Sequence, residues 1–258
     1  MHRFFVDPDA WCADGCILSG KEAHHLARVL RLRPGAKVLL FDGRGGQWEG
    51  EVKSIGKGKV HVAVTGQRDY VPVPVTVNLL QGLPKGPKLD LIIQKAAELG
   101  AAQVIVVACE RSVVHLDGEK ANKRLVRWER IAQEASKQCG RPVPLAIKGV
   151  CSLTQALTMA GSAGLNLVPW EEEGVRGLHE ALVLHGASPQ VVNIFIGPEG
   201  GLTLGEIAQV REAGFVPVSL GPRILRTETA GMAAISMVLY QWGDLGRAPG
   251  QRRDRVDG

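Results

Sequence analysis

Hydrophobic and polar positions follow two different rhythms along the 258 residues. From Met1 to about Tyr70 the apolar runs are short and cut by glycine, as in "AKVLLFDG", "GQWEGEVKSIG" and "GKVHVAVTG". Alternation in "KVHVAVT", and Asp42-Gly43 directly after the run Val38 to Phe41, predict strands and hairpins. One helical stretch interrupts them, "SGKEAHHLARVLRLRPG", with Leu26, Val29 and Leu30 on one face and Pro34-Gly35 ending it. A small β-rich domain over residues 1–70 is expected. The following "DYVPVPVT" has Pro72 and Pro74 in alternation, which suits a stiff extended linker better than a central strand.

From residue 71 to about 245, apolar runs of five or six residues alternate with helical patterns. Predicted strands are "VTVNLLQ" at 75, "QVIVVA" at 103, "LAIK" at 145, "GLNLVP" at 164, "VVNIFIG" at 191 and "VPVSLG" at 216. Between them lie predicted helices in "KLDLIIQKAAELG", "EKANKRLVRWERIAQEASKQCG", "SLTQALTMAG", "GLHEALVLHG" and "TLGEIAQVREAG". Strand-helix alternation with near-continuous apolar strands means an α/β fold with a mostly parallel sheet. The closing helix "TAGMAAISMVLYQWGDL" is apolar nearly all round, so one face covers the sheet and the other asks for a partner subunit. A homodimer through this C-terminal region is expected. The tail from 246 to 258, "RAPGQRRDRVDG" at its core, reads as solvated and flexible.

Two strand exits carry the candidate chemistry. In "FIGPEGGLT" the strand leaves through Gly197, Pro198, Glu199, Gly200 and Gly201, and Thr203 with Glu206 forms a capping box for the next helix. The following strand also leaves through Gly-Pro, in "VPVSLGPRILRTETAG", so the two loops are expected to be adjacent and to face one pocket. Neither fits the dinucleotide fingerprint or the phosphate loop. "RILRTETA" brings Arg223, Arg226, Thr227, Glu228 and Thr229 to a helix N-terminus, where negative charge is favoured. Arginines there can hold a phosphate or an electron-rich base, or Thr227 or Thr229 can simply cap the helix.

A formal charge of +5 fits an anionic partner without requiring one. Lys120, Lys123, Arg124, Arg127, Arg130, Lys137 and Arg141 cluster on one helix, as a phosphate-contacting surface or a solvated face. Arg3, Arg28, Arg31 and Arg33 form a second basic group. Five scattered cysteines and no signal peptide at "MHRFFVDPDAW" point to a reducing, cytoplasmic setting. Cys12 and Cys16 before His24 and His25 match no structural zinc spacing, so no metal is expected. No window has the apolar length of a membrane span.

Together these segments resemble the bacterial RsmE family, the small-subunit rRNA uridine-N3 methyltransferases of the SPOUT (trefoil-knot) superfamily. "HHLARVLRLRPG", "LLQGLPKGPKLDLIIQKAAELG", "CERSVVHL", "RWERIAQEASKQCGR", "IGPEGGLTLGEI" and "LGPRILRTETA" follow the family's order, and the last two are the most specific. The resemblance implies a PUA-like RNA-binding β-barrel domain, then a knotted SPOUT α/β domain that binds S-adenosylmethionine (SAM) and dimerises. It implies methylation of a uridine in 16S rRNA of the small ribosomal subunit.

By position, the cofactor residues implied are Leu167, Val168, Pro169, Ile196, Gly197, Pro198, Glu199, Gly200, Gly201, Ser219, Leu220, Gly221, Ile224, Leu225 and Thr227. The implied RNA contacts are Arg3, His25, Arg28, Arg31, Arg33, Lys85, Lys88, Arg111, Arg127, Lys137 and Arg141. Arg226 is expected to stabilise the uracil anion, Arg223 to support it or hold phosphate, and Glu228 to act as base or to orient Arg226. Glu199 is expected to fix its loop or contact bound groups. Two rivals remain at this point: a SPOUT ribose 2′-O-methyltransferase, and a non-catalytic RNA-binding assembly factor, which would fail to bind SAM.

Overall fold

The computed structural model describes residues 1–69, 72–112, 118–162 and 164–247. Tyr70 and Val71 of the linker, residues 113–116 of "CERSVVHL" and the tail from 248 lie outside the described residues. The chain divides into two compact units, Met1–Pro72 with Ala132–Pro144, and Val73–Ile131 with Leu145–Gly258.

The first unit is a six-stranded sheet built from β1 (His2–Phe5), β2 (Trp11–Cys12), β3 (Gly15–Leu18), β4 (Lys37–Phe41), β5 (Gln47–Gly56) and β6 (Lys59–Arg68). The order is β1-β4-β5-β6-β3-β2, antiparallel throughout except for β1 beside β4. Alternate residues Val38 and Leu40, and Val60 and Val62, face one core with Phe4, Leu18, Leu26 and Val52. The helix of this unit is shorter than its sequence predicts. α1 (Gly20–His24) runs directly into a π turn, His25–Val29, in which the Leu30 N–H donates to the His25 carbonyl at 2.9 Å. The wider turn rotates Val29 off the apolar face to 60% exposure, and Arg31 takes φ +51° three residues before Pro34.

The second unit contains all six strands predicted for it: β7 (Thr76–Gly82), β8 (Gln103–Ala108), β9 (Ala146–Ser152), β10 (Leu165–Pro169), β11 (Val191–Ile196) and β12 (Val216–Val218). Every neighbouring pair is parallel, in the order β12-β10-β11-β7-β8-β9. β11 therefore inserts between β10 and β7. The helices are α2 (Lys88–Leu99), α3 (Gly118–Cys139), α4 (Leu153–Ala160), α5 (Leu178–His185), α6 (Leu204–Glu212) and α7 (Thr227–Trp242). Ala132 and the residues after it in α3 belong to the first unit.

Both faces of this sheet are covered, which is why its strands read as apolar runs. Leu80, Ile105, Val107, Val168 and Phe195 pack on one side with α4 and α6 through Leu153, Ala156, Ile207 and Val210. α2 and α7 pack together, and α7 covers β7 and β11 on the other side. Each fully buried aliphatic side chain contributes about 1.5–3 kcal/mol. Near the amino ends of three adjacent strands the core is polar: Asn78 Nδ2 donates to Asn193 Oδ1 at 2.8 Å, and Asn193 Nδ2 donates to Asn166 Oδ1 at 2.7 Å. Asn193 Nδ2 also donates to the Ala160 carbonyl, and Asn166 Nδ2 to the Gly161 carbonyl. The register that pairs Asn78 with Asn193 and Asn193 with Asn166 builds this ladder. It fixes strand alignment, since a one-residue slip would bury the amides without partners.

Candidate active site at the strand exits

Because the sheet is parallel, β10, β11 and β12 all end on the same edge, at Pro169, Ile196 and Val218. The two Gly-Pro loops are not on neighbouring strands, as sequence order suggests. β10 lies between β11 and β12, so the loops flank its exit.

The β11 exit is held on several sides. Gly201 has φ +69° and donates its N–H to the Pro198 carbonyl at 3.0 Å, a turn that glycine makes without strain. The predicted capping box is formed: Thr203 Oγ1 accepts from the Glu206 N–H, and Glu206 Oε2 accepts from the Thr203 N–H. Buried Glu206 also accepts from the Glu110 N–H at 2.8 Å, and Arg111 donates to the Gly200 carbonyl at 2.9 Å. Gly82, at the end of β7, lets the loop close down, because a Cβ there would lie 2.6 Å from Pro198.

Glu199 is committed to this scaffold. Its carboxylate accepts from the Lys85 backbone N–H at 3.1 Å and from Lys88 Nζ at 2.9 Å. Burial raises the Glu199 pKa, but the Lys88 ammonium and two backbone N–H groups outweigh it, and the net shift is downward. The Glu199 hydrogen bond moves Lys88 up, against desolvation and the repulsion of nearby Arg226.

The β12 exit is stitched from its other side. Ser219 donates its N–H to the Arg176 carbonyl at 2.8 Å and accepts from the Leu178 N–H at 2.9 Å. Ser219 Oγ then accepts from the Gly221 N–H at 3.2 Å, and Gly221 takes φ +115°. Among the described residues, the main-chain groups of Leu220, Arg223, Ile224 and Leu225 make no hydrogen bond within the chain. Leu225 is half-buried and Ile224 is 88% exposed.

The start of α7 closes the site. Arg226 is the N-cap, with extended backbone and no side-chain cap, so neither threonine caps this helix. Buried Thr227 instead donates its hydroxyl to the Gly197 carbonyl at 2.7 Å and accepts from Gln81 Nε2 at 2.9 Å. Arg223 and Arg226 are exposed. Glu228 Oε2 is buried, accepts no hydrogen bond, and lies 3.7 Å from Lys88 Nζ. Gln81 Oε1 is likewise buried without a donor. Gln81, Gly82 and Lys88 lie far in sequence from the loops they fix. The sequence signal for them is the polar "QG" closing an apolar strand.

Many of the cations proposed from sequence as RNA contacts have protein partners. Lys88 and Arg111 hold the β11 exit, and Arg127 pairs with Asp90. Within the first unit, Lys137 pairs with Glu22 and lies 5.1 Å over the Phe5 ring. Arg3 donates to the Cys139 carbonyl at 3.4 Å, Arg141 donates to the Val143 carbonyl at 3.2 Å, and the His25 ring lies 6.0 Å from Phe4. Arg28, Arg31, Arg33 and Lys85 are exposed. No helix of the described residues is long and apolar enough to cross a membrane.

Sequence comparison matches residues 71–239 to a family described as an RNA methyltransferase domain, and residues 18–65 to an RNA methyltransferase PUA domain. The chain is 37% identical over 248 residues to ribosomal RNA small subunit methyltransferase E of Bacillus subtilis, covering 93% of this chain and 97% of that protein. It is 32% identical to the Mycobacterium bovis protein of the same name, covering 91% and 90%. Among solved structures it is similar to ribosomal RNA small subunit methyltransferase E of Neisseria gonorrhoeae bound to SAM. That likeness has a TM-score of 0.82 and 31% identity, and covers 95% and 99% of the two chains.

Proposed function

Since the chain belongs to the RNA methyltransferase family of ribosomal RNA small subunit methyltransferase E, we propose that it transfers the methyl group of SAM to N3 of a uridine in 16S rRNA. The observation that carries this reading is the set of strand-exit loops, where main chain rather than side chains is offered to a ligand. Backbone groups at Leu220, Ile224 and Leu225 have no partner in the chain, and Gly221 leaves open space where a Cβ would point. Such groups suit an adenine edge, and the residues fit the cofactor. Leu167 to Pro169, Ile196 to Gly201, Ser219 to Leu225 and Thr227 would hold it. SAM supplies an electrophilic methyl on a sulfonium, which becomes neutral as the methyl leaves.

The chain's own task is then to place the acceptor and handle its proton. Uracil N3 becomes nucleophilic only as its proton departs, and negative charge then spreads to O2 and O4. Arg226, exposed at the α7 N-terminus, stabilises that charge together with the helix dipole. Glu228 takes the N3 proton as general base, and Lys88 lies beside its carboxylate, with Nζ 3.7 Å from Oε2. Arg223 holds RNA phosphate, and Arg28, Arg31, Arg33 and Lys85 extend the contact.

The insertion of β11 between β10 and β7 supports a knotted path for the C-terminal part. Exposed Met237 and Tyr240 on the apolar helix α7 support a homodimer through that helix. Calorimetry with SAM tests the pocket: one binding event per chain, weakened in Gly200→Val, is expected. An unchanged affinity in that variant would remove the loops from the cofactor site.

A further inference from the structure

Outside the strand-exit site, one cluster in the first unit combines a thiol, an imidazole and a carboxylate. Cys12 ends β2, Asp14 occupies the turn into β3, and His61 lies in β6. Their atoms converge on one point: Cys12 Sγ is 3.5 Å from Asp14 Oδ1 and 4.0 Å from His61 Nε2, and that nitrogen is 3.3 Å from the same oxygen. All three donors fall within 4.8 Å of one another.

Those separations can be compared with a metal's demands. Zinc bonds of about 2.3 Å to sulfur, 2.0–2.1 Å to nitrogen and 2.0–2.2 Å to oxygen, at tetrahedral angles, put the ligand atoms about 3.6, 3.6 and 3.4 Å apart for S–O, S–N and N–O. The observed triangle departs from this chiefly at the sulfur-nitrogen edge, which is the longer one, and Cys12 at that edge is exposed. We propose that Cys12, Asp14 and His61 form a binding site for a divalent transition metal, with zinc the best match, and leave its fourth position to water or an external donor.

The backbone holds the three residues in place without the metal. Cys12 pairs with Gly15 across the β2–β3 hairpin, Gly15 pairs with Ala63 of β6, and His61 lies two residues from Ala63 on the same face. The Asp14 carbonyl accepts from the Val64 N–H at 3.0 Å. Gly15 is pressed so closely on β6 that a Cβ would lie 2.0 Å from the Val62 carbonyl oxygen. A glycine in the middle of the row therefore lets the hairpin lie against β6 and leaves the donors room to meet.

The donor set selects the metal. Thiolate with imidazole and one carboxylate is a borderline set that favours zinc, cobalt and copper over magnesium and calcium. Cys16 is not a ligand, despite its place in the sequence. It is fully buried in the core of the first unit. His24 and His25 lie in α1 and the π turn that follows it. Binding releases the Cys12 thiol proton to solvent, and no oxidation state changes.

The test uses the full chain, reduced and stripped with chelator, with cobalt(II) and then zinc as probes. One equivalent of cobalt should produce a thiolate-to-metal charge-transfer band with visible bands of four-coordinate cobalt, and zinc should bleach both. Cys12→Ser should abolish the charge-transfer band. His61→Ala and Asp14→Asn should each weaken zinc at least tenfold in competition with a chromophoric chelator, while Cys16→Ser leaves it unchanged. Unfolding in chelator should match the parent for the three ligand variants, since two of the side chains are exposed and the third is partly so. A parent chain that gives no band, or a band that survives Cys12→Ser, overturns the proposal.

Discussion

The hydroxyl of Thr227 donates to the Gly197 carbonyl at 2.7 Å and so ties the first turn of α7 to the exit of β11. Gln81 donates to the same hydroxyl, which makes Thr227 the joint of β7, β11 and α7. Thr227→Val keeps the shape and removes both bonds, leaving buried Gln81 Nε2 with only the Gly82 carbonyl. A loss of about 1–3 kcal/mol in urea unfolding and weaker SAM binding by calorimetry are expected, and Thr227→Ser should restore both.

Gly221 separates backbone need from space. Its φ is +115°, and nothing lies within 4 Å of where a Cβ would stand. Gly221→Ala therefore strains the loop without a clash, at a cost of about 1–3 kcal/mol. SAM affinity should fall with no change in the distant Asn78–Asn193–Asn166 ladder, as read from amide exchange.

The Lys88–Glu199 pair sets a pH window for the loop. Glu199 is depressed from 4.5, so its contribution is present above 4.5 and is lost as pH falls through the folded value. Lys88 is raised from 10.5, so its contribution is present below 10.5 and is lost as pH rises through its folded value. The stability gap between the parent and Glu199→Gln should be flat between those limits and shrink in acid. Chemical unfolding at several pH values measures it.

The Asn ladder was legible only in part. Asn78, Asn166 and Asn193 interrupt apolar runs that already announced buried strands. Their partners, however, depend on β11 entering between β10 and β7, which no local pattern encodes. Asn193→Ala strands the Asn78 amide and should cost more than about 2 kcal/mol in unfolding, while kcat of the folded enzyme stays near that of the parent.

The same physical divide runs through the rest. Continuous apolar stretches announced all six parallel strands, and Thr203 with Glu206 announced the start of α6, because those signals are local. The π turn at His25–Val29 was hidden, since it shifts the apolar face without changing composition. β2, with two residues, is too short to show a period. The partners of Arg3 and Lys137 are more than a hundred residues away, so these cations read as a surface for RNA although the fold uses them itself.

The roles proposed for Arg226 and Glu228 divide binding from chemistry. Arg226→Ala should lower methyl transfer at least a hundredfold, about 2.7 kcal/mol or more in transition-state stabilisation, while SAM affinity changes less than threefold. Glu228→Gln should lower kcat at saturating SAM, with SAM affinity near that of the parent. Near-parent turnover in either variant takes that residue out of the mechanism.

The central claim is tested most directly by labelled methyl transfer from SAM to small ribosomal subunits from a strain lacking this activity, followed by nuclease digestion and mass spectrometry. Label on N3 of a single uridine of 16S rRNA is predicted. A 2′-O-methyl nucleoside, or no transfer by a chain that binds SAM, would contradict it.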